Sequence, residues 1–133
     1  MLSRRRFFAG CALCAATGLI ATDAGAQTPA ATRTLLQSQY VPGTNHVTHI
    51  VMVEFTAGAL NPRHTHPGLT LAYMVEGELE LSLPDRTVIA KQGESFSIGP
   101  EVAHAERGGP NGARALVTFT VEKGKPLASP APG

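Results

Sequence analysis

Cysteine is almost missing from this chain of 133 residues: there are two, Cys11 and Cys14, both near the start. Once the leader described below is removed, neither a disulfide nor a thiolate ligand is left, so any metal must be held by nitrogen and oxygen. A surplus of either charge is missing too, with 11 Lys and Arg against 10 Asp and Glu. That balance leaves no basic face for nucleic acid or an anionic membrane. No apolar run reaches the ~20 residues a membrane helix needs, since the longest, Phe7 to about Ala21, has about 15. Beyond it no segment keeps a helical period of useful length, and no Met- or His-rich tract suggests metal storage. What is present, 43% hydrophobic and 16% charged residues, fits one domain with a modest core.

The first 26 residues read as a twin-arginine signal peptide. Ser3-Arg4-Arg5-Arg6-Phe7-Phe8 is the basic region, a small-residue apolar stretch follows, and Ala24-Gly25-Ala26 is a cleavage site. The alternative is an uncleaved anchor helix. Cleavage removes Arg4, Arg5, Arg6 and Asp23, so 11 basic residues become 8 and 10 acidic become 9, a formal charge of −1. The expected location is the periplasm or outside the cell, with no stable membrane insertion after cleavage. Twin-arginine export moves folded proteins, so a metal chosen in the cytoplasm escapes competition from copper and zinc outside.

In the rest of the chain, residues 27–40 form a flexible lead-in, with a short edge strand at Leu35–Tyr40 as the one option for order. The segment His46–Phe55 is β-branched and puts Val47, His49, Val51, Val53 and Phe55 on one face. Strands are expected at Arg63–His66, Leu69–Val75, Glu78–Leu83, Arg86–Ala90, Glu94–Ile98, Val102–Arg107 and Ala113–Glu122, separated by turns at Pro67-Gly68, Glu76-Gly77, Pro84-Asp85, Gln92-Gly93, Gly99-Pro100 and a loop at Gly108–Gly112. Residues 123–133 are a proline-containing tail. Many short strands with frequent turns argue an all-β sandwich or barrel over residues 41–122. So small a core gains from a homodimer.

Within that pattern His64 and His66 are two apart in an extended segment, so both imidazoles project from one face. Neutral imidazole is the commonest protein ligand for Zn, Fe, Ni and Cu. A later segment, Gly93–His104, brings a third histidine.

Gly58, His64-Thr65-His66, Thr70 and Gly77 resemble the motif G-x5-H-x-H-x3-4-E-x6-G of the cupin superfamily, with Thr70 at the glutamate. Gly93 and His104 match its second motif, G-x5-P-x-G-x2-H-x3-N, where Gly99 stands at the proline, Glu101 at the glycine and Gly108 at the asparagine. The 15 residues between Gly77 and Gly93 equal the short spacing of small microbial cupins. The resemblance covers about Val47 to Val121 and extends to small exported cupins ending in G-K-P-L-A, here Gly124–Ala128. It implies a double-stranded β-helix (jelly-roll) barrel with His64, His66 and His104 on one divalent transition metal. Three neutral imidazoles with open positions suit Fe(II) or Zn, with Mn, Ni or Cu as further options.

Other residues carry two readings each. Glu106, two after His104, either points into the barrel as replacement ligand or general base, or pairs with Arg107 or Arg114 in solvent. His49 is a core histidine, or else lines the pocket and moves a proton. Thr70, Ala72 and Met74, in phase along one strand, line the pocket. The function expected is a metalloenzyme of oxygenase, isomerase or lyase type acting on a small organic molecule; the alternative is a non-catalytic module that binds a metal or small ligand.

Overall fold

The computed structural model describes residues 28–132. The signal peptide expected at 1–26 lies outside the described residues. Eight strands follow in order: β1 Ala31–Tyr40, β2 His46–Phe55, β3 Leu60–Thr65, β4 Leu69–Ser82, β5 Thr87–Lys91, β6 Ser95–Ile98, β7 His104–Glu122 and β8 Ser129–Pro130. All pairings between them are antiparallel, as an all-β jelly-roll barrel requires. The helix-free reading of the sequence agrees with this among the described residues.

β7 is the spine. Its second half, from Ala113, pairs with β2 along the full ten residues of that strand, while its first half pairs with β3. β4 runs along both halves, from Leu69 opposite Thr120 to Ser82 opposite Ala105. The sequence reading divided each of these long strands in two. At Glu76-Gly77 the expected turn is a bulge instead, with register shifts on either side. Gly77 has φ +72, and a Cβ there would stand 2.1 Å from the Gly112 carbonyl oxygen. Glycine lets the two strands bend past each other at close approach without ending. The Gly108–Gly112 loop is likewise part of one continuous strand, β7, flanked by the pairs Gly108–Leu79 and Ala113–Gly77.

Inward positions follow the period-2 pattern. Val51, Val53 and Phe55 of β2, Ala72, Met74 and Leu79 of β4, and Ala115, Val117, Phe119 and Val121 of β7 share one buried cluster. Each larger member contributes roughly 1.5–3 kcal/mol by leaving water. The outward face of β4 is unusual, because Leu69, Leu71, Tyr73 and Val75 are all exposed there.

Both ends of the described chain are more ordered than expected. β1 begins at Ala31, inside the stretch read as flexible, and pairs with β2 through Tyr40 with a bulge between Leu35 and Gln37. The Ala/Thr composition offered no alternation, because β1 lies at an edge with nearly every residue exposed. The tail also folds back. Leu127 packs on the core, and β8 pairs with His64 and Thr65.

Candidate metal centre

Each histidine is placed by a different backbone event. His64 lies in β3 just after Pro62, where the register to β7 shifts, a place at which proline is tolerated because no ladder donor is required. His66 follows the end of β3, and its carbonyl accepts from the backbone N–H of Glu101 at 2.8 Å. Glu101 has φ +60, the sole non-glycine among the described residues with positive φ, at the position where the second motif places glycine. His104 opens β7 directly opposite His64.

The four residues His64, His66, His104 and Glu106 are all buried, and their ligand atoms lie within 4.8 Å of one another. Glu106 thus points inward, not toward solvent. Arg114 pairs with Glu54 and Glu76, and Arg107 donates to the Gly58 carbonyl. The alternation along β7 explains the difference, since His104 and Glu106 share the inward face of a regular strand. The carboxylate absent at Thr70 is therefore supplied from β7.

Hydrogen bonds fix the tautomers. Nδ1 of His64 meets the Pro62 carbonyl at 2.7 Å, Nδ1 of His66 the Leu127 carbonyl at 2.7 Å, and Nδ1 of His104 the Val102 carbonyl at 2.8 Å. A carbonyl only accepts, so each Nδ1 carries the hydrogen and donates, and each neutral ring presents the bare lone pair of Nε2. This is the usual preparation of metal-binding imidazoles. Nε2 of His64 and of His104 are buried without any hydrogen-bond partner. Glu106 Oε1 lies 3.2 Å from His104 Nε2 and 3.6 Å from His64 Nε2. Lone pairs facing a carboxylate at that range repel unless a cation stands between them, and the donor set therefore fits a divalent metal.

Electrostatics agree. Burial lowers the pKa of His64 and pushes that of His66 down to about 4, with His104 adding to both. The imidazoles are thereby kept free of protons that would compete with a metal. Burial alone would raise the Glu106 carboxyl, but positive charge on the His104 and His64 side of it, with the hydrogen bond from the amide of Asn61, holds it below its ordinary value. Asn61 Nδ2 donates to Glu106 Oε2 at 2.7 Å and so leaves Oε1 for the centre.

A cavity of about 20 Å³ opens beside the cluster, lined among others by His66, Glu106, Thr70, Ala72, Phe96 and Arg33. Thr70 and Ala72 border this cavity. Met74, expected with them, is instead wholly buried in the core, at a register opposite Ala115. His49 is also elsewhere: it bonds Ser38 Oγ at 2.7 Å in a second cleft of about 610 Å³ that Lys123, Lys125 and Leu127 help to line. β2 carries His49 opposite Phe119, whose ring stands 4.9 Å from that of His66, so an aromatic side chain intervenes. Sequence reasoning missed Asn61, Leu127 and Arg33. The first falls between the expected strands His46–Phe55 and Arg63–His66, the second acts through its backbone, and the third lies in the supposed lead-in.

A family model described as Cupin domain matches residues 51–124. No curated protein matches the chain. Among solved structures, an RmlC-like cupin from Shewanella frigidimarina is 27% identical with a TM-score of 0.57, over 71% of this chain and 79% of that one. The polyketide cyclase RemF from Streptomyces resistomycificus is 26% identical with a TM-score of 0.61, over 78% and 72%. The DMSP lyase DddQ from Ruegeria pomeroyi, at 20% identity and a TM-score of 0.58 over 63% and 43%, is similar in fold.

Proposed function

Because the chain belongs to the Cupin domain family, we propose that it is an exported protein holding one divalent transition metal and acting on a small organic molecule by oxygenase-, isomerase- or lyase-type chemistry. His64, His66 and His104 would hold the metal through Nε2, with Glu106 as a fourth donor. The observation that carries this reading is the buried carboxylate oxygen facing two unpartnered imidazole lone pairs. When bound, the metal supplies Lewis acidity, or redox chemistry if it is iron. Three imidazoles and one carboxylate suit Zn(II), Fe(II) and Mn(II) alike.

The chain's own residues prepare the reaction. Glu106 Oε1 is the atom placed to take a proton from a substrate or to complete the metal's coordination, and Asn61 keeps that oxygen turned inward. Apolar walls from Val53, Phe55, Phe96 and Phe119 keep bulk water out. His49, in the other cleft, has no part in this scheme. The names of two similar structures, a cyclase and a lyase, are compatible with proton-moving chemistry in such a barrel.

A second reading, a non-catalytic binding module, is favoured by the size of the cavity, since about 20 Å³ admits about one water-sized group. Elemental analysis decides the metal reading: near one transition metal per chain is expected, lost in His64→Ala and His104→Ala. Absence of metal from protein expressed with Fe, Mn and Zn would overturn it. Anaerobic purification followed by oxygen-uptake and substrate-turnover screens separates enzyme from binder.

Export and self-association belong to the same proposal. Substituting Arg4 and Arg5 by lysine should trap the precursor in the cytoplasm, as fractionation would reveal. The uncharged stripe of Leu69, Leu71, Tyr73 and Val75 supports a homodimer through the outward face of β4. Sedimentation should give twice the chain mass, and Leu71→Lys with Tyr73→Lys should give monomer.

A further inference from the structure

We propose that the cavity beside the metal centre receives a small organic carboxylate, and that Arg33 and Thr70 are the groups that bind it. The proposal deepens the metal-centre reading and rests on it for the cation that the carboxylate would meet. Arg33 stands on β1 opposite Val53, and its side chain lines the same cavity as His66 and Glu106. No carboxylate among the described residues pairs with Arg33, whereas Arg86 and Arg114 have such partners. A guanidinium that overhangs a cavity brings a fork of N–H donors matched to a carboxylate.

Thr70 gives the second, independent observation. It is 2% exposed, lines the cavity from β4, and its Oγ1 has no hydrogen-bond partner. Buried hydroxyls in native proteins are nearly always satisfied, so an unused one beside a cavity marks the place of an absent oxygen. Two unspent donors, from β1 and from β4, thus border one space.

Charge selects the sign of the ligand. Three neutral imidazoles and the Glu106 carboxylate around a divalent ion leave one positive charge, and Arg33 adds another. An anion neutralises this surplus, whereas an amine is repelled. Size limits the rest. With about 20 Å³ available, only an oxygen-bearing head reaches the metal's neighbourhood. The body of the molecule remains on the Arg33 side, where β1 is almost wholly exposed and paired with β2 alone.

The test is calorimetric titration of the zinc-loaded full chain with malonate and with its neutral counterpart, malonamide. Malonate should bind at least tenfold more tightly. Arg33→Gln should weaken malonate at least tenfold while zinc content stays at one per chain, Arg33→Lys should fall between, and Thr70→Val should lose severalfold. Arg33 is exposed and Thr70→Val keeps the side-chain shape, so these variants should fold, which circular dichroism verifies. Equal binding of malonate and malonamide, or unchanged malonate affinity in Arg33→Gln, overturns the proposal and leaves the metal reading standing. Should the chain take up no zinc, the metal reading fails; malonate binding by the metal-free chain that Arg33→Gln abolishes would still support the anion site, and its absence would overturn that too.

Discussion

Removing residues 127–133 tests whether the C-terminal segment is part of the metal centre. The cut takes away the Leu127 carbonyl that accepts from His66 Nδ1 at 2.7 Å. It also removes the pairing of β8 with His64 and Thr65. His66 is 3% exposed, so its Nδ1–H loses a partner in a place where water replaces it poorly. A buried donor left unsatisfied costs about 1–3 kcal/mol. At about 1.4 kcal/mol per factor of ten, this is roughly a tenfold to hundredfold loss of metal affinity, the range typical of groups that orient a metal-binding histidine. Leu127→Ala supplies the contrast, because it removes half-buried apolar surface but retains the carbonyl. It should lower the thermal midpoint of the metal-free protein while leaving zinc affinity close to that of the full chain. Competition against a chromophoric zinc chelator measures both. A truncated chain that binds zinc within twofold of the intact one refutes the reasoning, as does a Leu127→Ala variant that loses as much affinity as the truncation.

Three further outcomes are expected. Glu106→Gln keeps the shape and the neighbouring Asn61 but removes the charge, and should lower zinc affinity by at least about tenfold in the same chelator assay, consistent with the strength of a charge-assisted contact. In the metal-free protein, the folded His66 binds its proton only near pH 4, whereas its unfolded value is 6.5. Between those limits the unfolded state therefore holds more protons, and stability falls on acidification by roughly 1.4 kcal/mol per pH unit, up to about 3 kcal/mol. His64, lowered in the same direction, steepens the loss, and Glu106 extends it below 4.5; urea unfolding from pH 7 to pH 4 that is flat would contradict this. Finally, Glu101 pays for its φ of +60 in a conformation costing an L-residue about 1–2 kcal/mol, while its N–H to His66 is retained by any residue. Glu101→Gly should therefore stabilise the chain by up to about 1 kcal/mol after the added freedom of the unfolded glycine is subtracted, seen as a higher thermal midpoint.

Much of the fold was legible because its causes are local. The bounds of β2 follow from β-branched alternation, and the spacing of His64, His66 and His104 by itself points to a common centre. The division of β4 and β7 was not legible, because Gly77 and the 108–112 segment look like turns in sequence. Only the opposite strand, packed 2.1 Å from where a Gly77 Cβ would sit, reveals a bulge. The orientation of Glu106 depended in turn on β7 staying regular through position 106, which the sequence left open.

By itself, the amino-acid order determined an all-β chain with three histidines able to meet, since alternation and residue chemistry are properties of single segments. The tertiary structure decided which groups complete and orient that meeting: Glu106 from β7, Asn61 from β3, a carbonyl from the tail and Arg33 from an edge strand. The tail carbonyl alone lies 61 residues beyond the His66 it orients, and two of these groups sit in segments whose composition suggests no structure. Long-range contacts of that kind carry no local periodicity, and a backbone carbonyl carries no residue identity at all.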